Sequence, residues 1–201
     1  MREDLVKKLE KEHAIKPGFL LINASHTHSG PELRATRTDV MDEPNRRADE
    51  AAAYTAELED KIVAMVGDCV ARLQPASLQY SYARCGFAMN RRTPEGAGFS
   101  NHPYPEGPVD HQVPVLKVSD AQGHEMALAF GYACHNTSLG FYNYCGDYAG
   151  FAQESLQEHR PGFTALFLMG CGGDQNPYPR RSDVVPGVTD LELSMQHGRS
   201  L

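Results

Sequence analysis

Three apolar runs, Phe19-Leu20-Leu21-Ile22, the stretch from Glu125 to Cys134, and Thr164 to Met169, each lead into side chains that carry chemistry. His26 and His28 follow the first, His135 follows the second, and Asp174 follows the third behind Gly170-Cys171-Gly172-Gly173. Short apolar runs bounded by glycine and polar residues read as strands buried in a sheet. A chain that repeats this pattern can fold in few ways, because the strands need helices to cover them and their ends need a common edge.

The helices are legible between the runs. Residues 3–13 put Leu5, Val6 and Leu9 on one face and break at Lys16-Pro17-Gly18. From Asp49 to Leu73, residues Tyr54, Leu58, Ile62, Met65, Val66, Cys69, Val70 and Leu73 recur at helical spacing, and Pro75 ends the run. Residues 148–159 suit a helix with Asp147 as its cap, Tyr148, Phe151, Ala152 and Leu156 inward, and Pro161-Gly162 closing it. Residues 76–85 suit a strand, and Val113 to Ser119 is joined to the run from Glu125 by the turn sequence Asp120-Ala121-Gln122-Gly123. Residues 32–46 and the Pro/Gly-rich stretch 90–111 read as loops. The expected fold class is α/β, a mixed sheet with flanking helices and a site at the strand ends. The charged helix at the start, and a helix over 189–201 with no C-terminal cap, lead us to expect one partial domain cut from a larger protein.

Composition narrows the partners. The net charge of -7 over 201 residues argues against a nucleic-acid or anionic-membrane surface. Arg46-Arg47, Arg91-Arg92 and Arg180-Arg181 are short, scattered basic pairs. The five cysteines, Cys69, Cys85, Cys134, Cys145 and Cys171, form no C-x-x-C pair and read as mostly buried thiols, not a disulfide framework. No run approaches the roughly 18 apolar residues of a membrane span. The first ten residues read as a charged helix and not as a signal peptide, and peripheral membrane contact stays open.

The chemistry centres on Ser25-His26-Thr27-His28-Ser29-Gly30-Pro31. In extended chain, residues i and i+2 project to the same side, so His26 and His28 can face one ion. Neutral imidazole is a common zinc ligand. If the three strand ends meet, His26, His28 and His135 supply three ligands and leave a position for water, the arrangement a catalytic zinc needs. Asp174 is a candidate for orienting a ligand imidazole or for capping the next segment. Tyr132, Tyr142, Tyr144 and Tyr148 read as core or pocket lining, and His102 and His111 as border residues of a pocket.

The segments NASHTHSGP (23–31), FAMNRR (87–92), GYACHNTSLGFYNYCGDYAGFAQESL (131–156) and MGCGGDQNPYPR (169–180) resemble, in order, the N-terminal catalytic domain of the neutral/alkaline (non-lysosomal) ceramidase family. The resemblance covers nearly the whole chain from about residue 3. It implies a Zn2+-dependent amidase that cleaves the N-acyl bond of ceramide or a related N-acyl lipid by zinc-hydroxide attack. It assigns His26 and His135 as metal ligands, His28 as a residue facing the reacting amide, and Arg91 as a partner for an oxyanion or carboxylate. Family members are commonly exported or membrane-associated.

Departures from the family pattern limit what carries over. The family's two further zinc ligands, a Glu and a Tyr, come from beyond the point where these 201 residues stop. Asn176 stands where the family's G-D-x-S-P-N segment has its serine, which excludes a serine nucleophile there. Glu32-Leu33-Arg34 replace the glycines that usually follow S-G-P, altering the substrate entrance. Two other classes remain open. One is a hydrolase with Cys171 as nucleophile on its glycine turn and a His as base, although Met169 occupies the first glycine position of G-x-S-x-G. The other is a catalytically incomplete relative that binds a lipid or a partner.

Overall fold

The computed structural model describes residues 1–33, 47–180 and 185–201. They form two units, Met1–Ile22 with Pro31–Gln74, and Asn23–Gly30 with Pro75–Leu201. From residue 34 onward, the loop expected over 32–46 lies outside the described residues.

The first unit is helical. Helix α1, Arg2–His13, carries Glu3 and Asp4 in its first turn and Lys11 and His13 in its last, the distribution the helix dipole favours. Helix α2, Ala48–Ala71, packs against it where Leu5, Leu9 and Val63 bury together, flanked by Ile15, Leu20, Ile62 and Val66. Lys8 reaches Glu59 at 3.2 Å and Asp60 at 2.8 Å across the helix pair. Gly67 lets the His13 ring pack close to α2, since a Cβ there would lie 2.6 Å from the ring and displace it.

The second unit holds the sheet. Strands β1 (Ser77–Arg84), β5 (Gln112–Ser119), β6 (Glu125–Tyr132) and β7 (Thr164–Met169) lie in the order β1-β5-β6-β7. The β1/β5 and β5/β6 pairs are antiparallel and β6/β7 is parallel, so the sheet is mixed as expected. Gly123, at φ 86, closes the β5–β6 turn in the left-handed conformation that glycine adopts without penalty. Helix α3, Asp147–Gln157, crosses between the parallel strands and packs on β7, and helix α4, Asp190–Ser200, packs on α3. The α3 side chains Tyr148, Ala149 and Ala152 close over Phe130, Tyr132, Ala165 and Phe167 to make the core. On the other face of the sheet Tyr80 and Leu166 are exposed.

Several expectations need correction. Residues 19–22 do not form a strand: a short turn over Pro17–Phe19 leads into extended chain, with Phe19 83% and Leu21 80% exposed. An apolar run becomes a strand only when a neighbouring backbone pairs with it, and none among the described residues does so here. The stretch 90–111 is not only loop, since β3 (Arg92–Glu95) and β4 (Gly98–Asn101) form a hairpin. Their exposed residues lack the alternation that marks a half-buried strand. Just before them, β2 (Ala88–Asn90) pairs with β8 (Gln175–Pro177).

Asp147 does more than cap α3, whose N-cap position is Gly146. Its carboxylate is 1% exposed and accepts hydrogen bonds from the Ser138, Leu139 and Tyr148 backbone N–H groups and from Ser194 Oγ. It therefore ties the chain after β6 to the start of α3 and to α4. The cysteines are all free, with Cys85 and Cys134 buried but Cys69 and Cys171 exposed.

Helix α4 also seats His197 against Phe87, with ring centroids 4.5 Å apart, and its Nε2 donates to Pro179 O at 2.6 Å. Burial lowers the His197 pKa, with the Pro179 bond and the Asp147 charge opposing. The neutral ring is therefore favoured in the fold, whereas the unfolded chain takes up the proton near its ordinary value of about 6.5. Stability held above that value is lost as pH falls below it. His197→Gln keeps an N–H donor and removes the titration, so its unfolding free energy should fall less between pH 7 and pH 5 than that of the unsubstituted chain. Equal losses in denaturant titrations at the two pH values would contradict this.

Candidate functional site

The site begins with parallel pairing. Because Tyr132 stands opposite Met169 in register, β6 and β7 end together, and their extensions run on side by side. Gly170 N donates to Tyr132 O at 3.0 Å, and His135 N donates to Gln175 O at 2.8 Å. The glycines permit this approach: a Cβ on Gly172 would lie 2.6 Å from Cys134 N, and one on Gly170 3.2 Å from Ala133 N. A side chain at either position would push the two extensions apart.

That approach fixes the His135 ring. Its Nδ1 bonds Gly172 O, and its Nε2 lies 3.1 Å from Arg91 Nη2. A carbonyl only accepts and a guanidinium only donates, so Nδ1 carries the proton and Nε2 presents its lone pair. This tautomer suits metal ligation through Nε2. Burial lowers the His135 pKa and the Arg91 charge lowers it further, against the Gly172 bond, which raises it. The sequence left Asp174 open between orienting an imidazole and capping the next segment; the Gly172 carbonyl orients His135, and Asp174 contributes its own carbonyl to Arg91 N at 2.8 Å.

Arg91 follows β2 and is held by the same turn. It donates to Gly173 O from Nη2 at 2.9 Å and from Nε at 3.2 Å, and to Asn176 Oδ1 from Nη1 at 3.3 Å. Asn176 thus accepts from the arginine. Burial lowers the Arg91 pKa, with Arg92 adding to the effect. His102 lines a small cavity beside Arg91 with Asn176 and Arg180, whereas His111 bonds Ala88 O at 2.9 Å.

The third contribution is the segment Asn23–Gly30. His26 does not sit in extended chain, for its φ is 60, yet the two imidazoles still meet: His26 Nε2 and His28 Nε2 are 3.4 Å apart. The His26 ring also meets the His135 ring edge-on, with centroids 4.7 Å apart at 89°. Desolvation lowers the His28 pKa, and His26 beside it adds to the shift. Of the four tyrosines, Tyr132 and Tyr148 are core residues whose hydroxyls donate to Cys85 O and Cys134 O, while Tyr142 and Tyr144 are exposed.

The structure therefore brings together His26, His28, His135 and Arg91. The rings of His26 and His135 meet edge-on, and the donor chemistry of two imidazoles suits zinc. Among the described residues, however, no group of three or more His, Cys, Asp or Glu side chains is disposed to hold a metal ion. The expected three-imidazole set is not closed, and the lone pair of His135 Nε2 faces Arg91. No imidazole among the described residues hydrogen-bonds the exposed Cys171 thiol. Sequence reasoning missed the Gly172 carbonyl and Asn23, whose amide bonds the end of β7. The crowding of glycines at 170–173 was the one available signal for the first.

No family model and no curated protein matches the sequence. Among solved structures, neutral ceramidase from Pseudomonas aeruginosa matches 99% of this chain with a TM-score of 0.73 and 22% identity. A ceramidase complexed with C2 matches 98% of it with a TM-score of 0.72 and 22% identity. The chain spans about a third of the length of each, 33% and 32%. The mixed sheet and its flanking helices thus have the fold of part of a neutral ceramidase.

The hydrogen bonding predicts that nitrogen-detected NMR will find His135 as the Nδ1–H tautomer. Gly172→Ala should displace the carbonyl, remove that signature and cost about 1–3 kcal/mol of stability. An Nε2–H tautomer in the unsubstituted protein would contradict this geometry.

Proposed function

We propose that the chain carries part of the active site of a zinc-dependent amidase acting on the N-acyl bond of ceramide or a related N-acyl lipid. The observation that carries this reading is the convergence of His26, His28, His135 and Arg91 at the strand ends, within a fold shared with neutral ceramidases. His26 and His135 would hold the metal, the latter through the Nε2 atom that here faces Arg91. Further ligands come from outside this set. The chemistry that zinc supplies when bound is Lewis-acid activation of water and of the amide carbonyl.

The chain's own residues do the rest. The Arg91 guanidinium, held by Gly173 O and Asn176, donates hydrogen bonds to the carbonyl oxygen as it gains negative charge. His28 Nε2 faces the same cluster and delivers a proton to the departing amine. The Gly172 carbonyl keeps His135 in one tautomer, so its ring needs no reorientation. Apolar lining lies beside the site and not at the imidazoles themselves. A cavity of about 540 Å³ lined mainly by apolar side chains, Leu116, Phe130 and Leu168 among them, reaches Gly170 and Cys171 on the turn that carries Gly172.

A second reading, a lipid- or partner-binding module without catalysis, draws on the open ligand set. Release of fatty acid from an N-acyl sphingoid substrate distinguishes the two. The amidase reading expects turnover that a chelator abolishes and zinc restores, no turnover in His135→Ala, and a fall in kcat of about 10²-fold in Arg91→Ala. Turnover that survives chelation and His135→Ala removes the zinc reading; thiol alkylation abolishing it would favour Cys171. Lipid binding with no turnover in the presence of zinc favours the module.

A further inference from the structure

His26 has the backbone conformation of a glycine. At φ 60 it sits in the left-handed region, which a residue with a Cβ adopts only where the surroundings impose it. Two sets of hydrogen bonds bracket it. On the C-terminal side, Thr27 Oγ1 donates to Cys145 O at 2.9 Å and accepts from Ser29 N at 3.2 Å, while Cys145 N donates to Ser29 O at 2.9 Å. On the N-terminal side, the Asn23 amide makes both bonds of a strand pair with one residue: Nδ2 donates to Met169 O at 3.0 Å and Oδ1 accepts from Met169 N at 2.8 Å. A side chain thus takes the place of a neighbouring strand at the free edge of β7.

The choice of Met169 matters. It is the last residue of β7, paired with Tyr132 at the end of β6, and the turn after it carries the Gly172 carbonyl that orients His135. We infer that Asn23 is a positioning residue: its two-point clasp on Met169, with the Thr27 and Ser29 bonds to Cys145, holds His26 in its left-handed conformation against His135. The inference rests on the zinc reading above. Asn23 is exposed, so its bonds fix geometry more than they stabilise the fold.

The test compares zinc affinity, by competition with a chromophoric chelator, and the visible spectrum of the Co2+ form in the unsubstituted protein, Asn23→Ala and Asn23→Asp. Asn23→Asp keeps the acceptor for Met169 N but turns a carboxylate oxygen toward Met169 O, so it should behave like the alanine variant. Both should bind zinc about 10- to 100-fold more weakly and change the Co2+ spectrum, with little loss of thermal stability. Unchanged affinity and spectrum in the two variants would overturn the inference, as would loss of affinity only in proportion to lost stability. If the unsubstituted protein binds neither metal, the zinc reading fails and takes this inference with it.

Discussion

The parallel register of β6 and β7 is the constraint on which the rest depends. Pairing Tyr132 with Met169 makes two strands end at the same level, and everything that follows them is built on that coincidence. His135 lies three residues past one strand end and Gly172 three residues past the other, so carbonyl and ring meet. Had the register slipped by one residue, each side chain of β7 would have changed face, and Phe167 would have left the core.

The remaining parts are ties that keep the extensions in place. Gly170 and Gly172 let two backbones touch where any side chain would separate them. Asp147 gathers the chain after His135, the start of α3 and α4 onto one buried carboxylate. Arg91 reaches in from the short β2–β8 ladder and braces the turn through Gly173 and Asn176. The imidazoles then face one another from two chain segments, each held by its own backbone contacts. These ties fix the His135 ring and the Arg91 guanidinium in one arrangement, in which each faces the other.

Much of this was legible in the sequence, for physical reasons that also set its limit. Strands β5, β6 and β7 announce themselves as apolar runs bounded by turn residues, and the helices by the spacing that burial imposes on their side chains; His135 and the glycine turn follow directly. The run at 19–22 misled, since apolar character marks a strand only where a backbone partner exists. The β3–β4 hairpin left no trace because its residues are exposed and free of patterning. Asn23 was invisible for a deeper reason: its partner is 146 residues away, and a side-chain amide bonding a distant backbone imposes no local pattern. The same holds for Asp147, which reads locally as a helix cap and acts as a three-way tie.

The central claim is that imidazoles at these strand ends take a zinc ion. Elemental analysis of the purified protein after equilibration with zinc and removal of excess metal tests it most directly, with His26→Ala and His135→Ala alongside. The account predicts about one zinc per chain in the unsubstituted protein and a loss in both variants. Zinc retained at full stoichiometry in both variants, or absent from all three proteins, would contradict it.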